Sequence, residues 1–230
     1  MTTLPRRLAA EGLGTAFLLA TVVGSGIMAE NLCAGNTGLA LLCNSIATGG
    51  GLIALILAFG PVSGAHFNPA VTLADASTGG TRWQDVPGYL AVQVLGGLVG
   101  VGVADLMFDL PAFTASTHVR TGTGQWLAEF VATFGLLATI FGVSRRTPAA
   151  TPFAVAGYIV AAYWFTASTS FANPAVTIAR SLTDTFAGIR PVDVPGFVAA
   201  QLLGAAAATA LFAWLVPAAA VPAAGERSAL

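Results

Sequence analysis

Ser63-Gly64-Ala65-His66-Phe67-Asn68-Pro69-Ala70-Val71-Thr72-Leu73-Ala74-Asp75 is the stretch on which the reading of this chain turns. Its centre, Phe67-Asn68-Pro69-Ala70-Val71-Thr72-Leu73-Ala74, returns with one added residue as Phe171-Ala172-Asn173-Pro174-Ala175-Val176-Thr177-Ile178-Ala179. The two Asn are 105 positions apart, about half of the 230-residue chain. Each copy is too short to cross a bilayer, which takes ~20 residues of helix. Asn suits an N-cap and Pro the first helical position, so each copy predicts a short helix starting at its Pro. Such a start directs unpaired N–H groups and a partial positive charge at whatever precedes it. Two of them, one per half of a membrane chain, point to a site at mid-membrane.

The rest of the chain is membrane-like. Hydrophobic residues make up 56% and charged residues 8%, with a mean hydropathy of +0.80, against about 25% charged in a soluble domain. So few charges cannot cover a water-facing surface, and the chain belongs in a lipid bilayer. The nine basic residues are all Arg and the net charge is -1, which gives no footprint for nucleic acid. Cys33 and Cys43 make no disulfide framework, and a bond between them would require one of the two to leave its element. No nucleophile–base set or metal cluster stands out, so the sequence implies no enzyme, cofactor or metal.

Six apolar runs predict spans over Leu8–Met28, Gly38–Phe59, Trp83–Met107, Gln125–Val143, Pro152–Ala167 and Pro195–Val216. The first could imitate a signal peptide, but it is too long for one and contains Glu11. Gly60-Pro61 should stop the second. The half-helices should cover Pro69–Ser77 and Pro174–Leu182, residues 108–124 form the longest loop, and the last fourteen residues should be frayed. The halves repeat beyond the Asn-Pro pairs. Glu11-x-x-x-Thr15 matches Glu129-x-x-x-Thr133, and Pro87-Gly88-Tyr89-Leu90-Ala91-Val92-Gln93 matches Pro195-Gly196-Phe197-Val198-Ala199-Ala200-Gln201. The units are residues 1–113 and 114–230. Three spans per unit is an odd number, so the second unit enters the membrane inverted. With both termini in the cytoplasm, Arg6, Arg7, Arg82, Arg145, Arg146 and Arg227 lie inside and Arg120, Arg180 and Arg190 outside, as positive charge prefers. Trp83 and Trp214 then mark the inner interface, Trp126 and Trp164 the outer one.

Two Asn-Pro-Ala motifs, Asn68-Pro69-Ala70 and Asn173-Pro174-Ala175, in a chain of this size and hydropathy resemble the major intrinsic protein family of aquaporins and glycerol facilitators. The resemblance runs from about Arg7 to Val216. It implies an all-α membrane fold with six transmembrane helices, two re-entrant half-helices and an inverted repeat. It further implies a passive channel for water and small neutral solutes, a homotetramer, and a place in a bacterial inner membrane. The half-helices would meet tip to tip, with Asn68 and Asn173 donating to the passing solute. Carbonyls of Gly64, Ala65, His66, Phe67, Thr169 and Phe171 would line the pore, since non-helical backbone at that depth must face water or protein. His66 could keep its ring packed under the hairpin or act through protonation. Glu11 and Glu129, costly inside spans, would brace the re-entrant loops. A proton-coupled carrier using both Glu is the alternative reading.

One departure bears on the solute. Water-selective members carry Arg directly after the second Asn-Pro-Ala, opposite an aromatic on the second span and often His on the fifth. Here Val176 stands in that place. Counting without gaps from the Asn puts Thr48, Ala161 and Ser170 around it: small side chains and no charge, hence a wide constriction. Arg180, one turn beyond Val176, either places a cation in the outer vestibule or pairs with Asp184 or a loop carbonyl. The Arg-to-Val change resembles the aquaglyceroporins that some bacteria associate with arsenic detoxification, which implies glycerol-like polyols and uncharged arsenous or antimonous acid as solutes.

Overall fold

The computed structural model describes residues 2–215. Val216 and Arg227, assigned above to the end of the last span and to the tail, lie outside the described residues. Among these, every regular element is helical. They are α1 (Leu4–Leu32), α2 (Thr37–Ser63), α3 (Pro69–Ser77), α4 (Val86–Met107), α5 (Thr123–Ser144), α6 (Thr151–Phe165), α7 (Pro174–Arg180) and α8 (Val194–Leu215). Single 3-10 turns at Pro148–Ala150 and Pro191–Asp193 lead into α6 and α8. Helices α1, α2, α4, α5 and α8 are long and apolar enough to cross a membrane. The fifth traverse is α6, 15 residues long.

Polarity is distributed as a lipid solvent demands. Phe17, Ile46, Leu57, Leu95, Val99, Leu127 and Leu203 are exposed on the outside, whereas Glu11, Gln93, Glu129, Thr177 and Gln201 are wholly buried. In water this arrangement would be inverted. Trp83 and Trp214 are exposed at one end of the bundle and Trp126 and Trp164 at the other, where amphipathic rings anchor an interface.

Helix α1 packs between α2 and α4, and α5 between α6 and α8; α2 meets α6 across the two halves. The short helices α3 and α7 touch each other, and both sit against α4 and α8. Glycine sets how closely the long helices cross. A Cβ on Gly96 would run into the Gly12 carbonyl, one on Gly100 into the Ala16 carbonyl, and one on Gly204 into the Phe130 carbonyl. Small residues at i and i+4 are the usual way to bring two membrane helices into backbone contact. Gly96 and Gly204 occupy the same place in the two sequence repeats, so α1–α4 and α5–α8 are joined in the same manner.

Some boundaries move from those expected. Helix α2 passes through Pro61 and ends at Ser63, where Gly64 (φ 95°) donates to the Gly60 carbonyl as a left-handed cap. A proline removes only its own N–H from the ladder; the glycine is what stops the helix. Helix α6 ends at Phe165 rather than Ala167, and α7 at Arg180 rather than Leu182.

At the end of the bundle where α1 begins, Arg7 donates to Asp85 Oδ2 at 2.8 Å and Arg82 Nε donates to the same oxygen at 3.1 Å. The Arg7 hydrogen bond holds the Asp85 carboxyl below its ordinary value of 3.8. The stability it contributes is therefore complete above that value and is lost as pH falls through the lower folded-state value. Asp85→Asn should flatten the acid limb of a melting-temperature profile in detergent while wild type keeps it. Independently, Gly96→Leu should overpack the α1–α4 crossing and cost about 1–3 kcal/mol or more. Gly50→Ala meets open space and should leave the melting temperature unchanged or slightly raised.

Candidate functional site

Each half-helix is capped by its own Asn. Asn68 Oδ1 accepts from Ala70 N at 2.9 Å, and Asn173 Oδ1 accepts from Ala175 N at 3.0 Å and Val176 N at 3.3 Å. The amide nitrogens reach across. Asn68 Nδ2 donates to the Ala172 carbonyl and Asn173 Nδ2 to the Phe67 carbonyl, both at 2.8 Å. The two tips are thus stapled to each other by reciprocal hydrogen bonds, and each NH₂ keeps its second hydrogen for the cavity it lines.

The segments before the two Asn are strained in one pattern. Gly64, Ala65 and Phe67 have φ of 95°, 51° and 50°; Thr169, Ser170 and Ala172 have 62°, 52° and 49°. These are the same offsets from each Asn. A non-glycine residue in the left-handed region costs about 1–3 kcal/mol, so something must hold these loops.

Glu11 and Glu129 do. Glu11 Oε1 accepts from Ser63 Oγ at 2.7 Å and His66 N at 3.0 Å; its Oε2 accepts from Phe67 N at 2.7 Å and Gln93 Nε2 at 2.8 Å. Glu129 accepts from Phe171 N and Ala172 N, both at 2.9 Å, and from Gln201 Nε2 at 2.5 Å. Gln93 and Gln201 also donate to Thr72 and Thr177, whose hydroxyls donate to the carbonyls of Asn68 and Asn173. Every hydrogen bond found to either carboxylate among the described residues is donated to it, as a brace requires. Neither glutamate lines either of two cavities, of about 880 Å³ and about 280 Å³.

A cavity of about 880 Å³ runs past the stapled tips. One wall is apolar: Leu18, Leu52, Ile56, Leu136, Leu137 and Ile159. The other carries Gly64, Ala65, His66, Asn68, Ser170, Phe171 and Asn173. The carbonyls of Gly64, Ala65, His66, Thr169 and Phe171 accept no hydrogen bond among the described residues and stay available to a solute. Thr169 borders a second cavity rather than this one. Phe67, expected in the same ladder, has its carbonyl engaged by Asn173. The His66 ring is tied to Thr72 Oγ1 at 3.1 Å, with Nε2 at 3.6 Å from Asp75 Oδ2 at the cavity mouth.

Of the four residues expected around the constriction, Thr48, Ser170 and Val176 line this cavity and Ala161 does not. Ala161 is exposed on the outer face of α6, and Tyr163 takes the inner place, its hydroxyl 3.2 Å from Thr48 Oγ1. The inner face of α6 is Val155, Ile159 and Tyr163, at i, i+4 and i+8. A residue two positions off that row points to the opposite side. A gapless count back from Asn173 could not find the row, because the segment from Thr166 to Ala172 separates it from α6. The level therefore contains a phenol as well as small side chains. Arg180 lines both cavities. Its Nε donates to the Ala187 carbonyl, and its guanidinium lies 3.5 Å from the Phe171 ring centroid. Asp184 is instead held by Thr117, at 2.8 Å and 3.0 Å. No motif or spacing in the sequence marks Tyr163 or Arg120 as site residues, and Gln93 and Gln201 show there only as a repeated Gln.

Residues 1–156 match the profile of the major intrinsic protein family. The chain belongs to that family. This major intrinsic protein is 57% identical over 213 residues to the aquaglyceroporin AqpS of Rhizobium meliloti (strain 1021), spanning 93% of this chain and 91% of that one. It is 34% identical over 143 residues to a probable aquaporin NIP-type of Nicotiana alata, over 60% of this chain and 51% of the other. Its fold is similar to the X-ray structure of the aquaglyceroporin from Plasmodium falciparum, with a TM-score of 0.69 at 21% identity over 91% of this chain and 96% of that one. As a major intrinsic protein it is a membrane channel for water and small solutes such as glycerol, not an enzyme.

The carboxylate brace predicts the effect of neutralising it. Glu129→Gln keeps the shape but turns an NH₂ toward buried N–H groups, each left unsatisfied at about 1–3 kcal/mol. The variant should melt at a lower temperature in detergent, and proteoliposomes should lose water and glycerol permeation together. Loss of glycerol accumulation alone, with passive flux intact, would instead mark a relay.

Proposed function

We propose that this channel passes water, glycerol-like polyols and uncharged arsenous and antimonous acid, downhill and without coupling. The observation that carries this reading is that Val176 lines the same cavity as Thr48, Tyr163 and Ser170, where apolar side chains and polar loop groups are both presented. A solute bearing hydroxyls on one side and carbon or a metalloid on the other meets both walls. Val176 adds neither charge nor hydrogen bonds, while the Thr48 and Tyr163 hydroxyls offer both donors and acceptors. Asn68 and Asn173 supply the donors at the tips, the loop carbonyls the acceptors, and the facing helix starts disfavour cations.

In this reading Glu11 and Glu129 brace the loops, and their saturation with donors argues against the coupled carrier. Residues 1–113 and 114–230 act as two inverted units. The protein sits in a bacterial inner membrane with both termini in the cytoplasm and assembles as a homotetramer.

Light scattering from proteoliposomes under inward gradients of glycerol and of arsenous acid tests the assignment. Wild type should show fast, non-saturating uptake of both. Val176→Arg should slow them about tenfold or more, a barrier increase of ~1.4 kcal/mol, with water flux retained. Equal uptake in both proteins would show that Val176 does not set the constriction. Tyr163→Ala should widen the same level and admit larger polyols that wild type excludes.

A further inference from the structure

At the end of the bundle holding the α4–α5 and α7–α8 loops, a second cavity of about 280 Å³ is lined by Thr37, Asn44, His118, Arg120, Arg180 and Phe186, among others. Two of these are nearly buried cations: Arg180 is 3% exposed and Arg120 8%. Both lie against one ring, their guanidinium carbons 3.5 Å and 4.9 Å from the centroid of Phe171. They are therefore at most about 8.4 Å apart, the sum of those distances.

Among the described residues, neither has a carboxylate within ion-pair distance. Arg120 Nε donates to the Gly188 carbonyl at 2.8 Å and Nη1 to the Ser168 carbonyl at 3.3 Å. Arg180 Nε donates to the Ala187 carbonyl. The nearby carboxylates are engaged elsewhere. Asp184 accepts from Thr117, Asp193 from Arg190 and from the backbone N–H of Arg120, and Glu129 from the loop. Buried cations are ordinarily paired. Two uncompensated guanidinium groups so close together leave donors free in the fork geometry that suits a carboxylate or a tetrahedral oxyanion.

We infer that this second cavity binds a small oxyanion between Arg120 and Arg180 and that its occupancy obstructs the solute path, because Arg180 also borders the main cavity. The obstruction rests on the channel reading above; the binding does not. His118 faces the same space. Burial, and then the Arg120 and Arg180 charges, hold its ring below the ordinary value of 6.5. A bound oxyanion would offset those charges and raise it.

The test is sulfate titrated by calorimetry into the full chain in detergent, with chloride at matched ionic strength as reference. Arg120→Gln and Arg180→Gln are titrated alongside. Saturable heat with sulfate, absent with chloride and at least about tenfold weaker in each variant, is the expected result. No sulfate heat, or heat in both variants equal to that of wild type, overturns the site. If either variant fails to fold, the His118 titration followed by NMR in wild type decides: a rise in its pKa with sulfate supports the site, and no movement overturns it. Saturating sulfate should also slow glycerol uptake several-fold in wild-type proteoliposomes. Binding without slowing overturns the obstruction alone. Absence of glycerol uptake with or without sulfate overturns the channel reading and leaves the binding result standing.

Discussion

A buried carboxylate accepting backbone N–H groups from a re-entrant loop is the interaction on which the rest of this structure depends. At mid-membrane lipid satisfies no backbone that is neither helix nor sheet, so its polar groups must face the pore or find partners within the protein. The loops before Asn68 and Asn173 are such backbone, each with left-handed residues at the same offsets. Glu11 and Glu129 supply acceptors to His66 and Phe67 in one loop and to Phe171 and Ala172 in the other. Without them the strained backbone would carry orphan donors, and the loop carbonyls of Phe67 and Ala172, which the Asn amides hold, would lose their support.

The brace imposes conditions on the helices around it. α1 and α5, which carry the carboxylates, must come within reach of the loops, and α4 and α8 must bring Gln93 and Gln201 to the same oxygens. Glycine at 96, 100 and 204 makes this approach possible, because any side chain there would strike a carbonyl of the neighbouring helix. Close helix crossing, carboxylate brace and stapled tips are one linked arrangement, built twice.

The repeat builds the scaffold, whereas the lining of the cavity changes where the halves differ. In the first half the cavity meets Thr48 on α2; in the second it meets Tyr163 on α6, and the two hydroxyls touch. The second half also brings Ser170, Val176 and Arg180, with Arg120 and Arg180 against Phe171, whereas the first half has the single Arg7 over Tyr89 among the described residues. A scaffold with near-twofold symmetry thereby acquires two unlike ends, one with His66 and Asp75 at its mouth and one with paired guanidinium groups.

Much of this was legible in the residues themselves. Asn-Pro at 68–69 and 173–174 determines where two short helices start, because capping and the fixed proline φ are local. Low charge and long apolar runs determine the solvent, and an odd number of spans per repeat determines the inversion. Glu11 and Glu129 announce themselves because an ionisable group in a span needs partners. Tertiary structure alone decided which partners they find, since Gln93 lies 82 residues from Glu11 and Gln201 lies 72 from Glu129. It also decided that Tyr163 rather than Ala161 faces the cavity. The direction of a side chain on α6 follows from helix phase and from the path of the loop after Phe165, and a count along the chain contains neither. Arg120 and Arg180 meet at Phe171 for the same reason: their proximity is set by how two loops fold over one ring, not by spacing in the sequence.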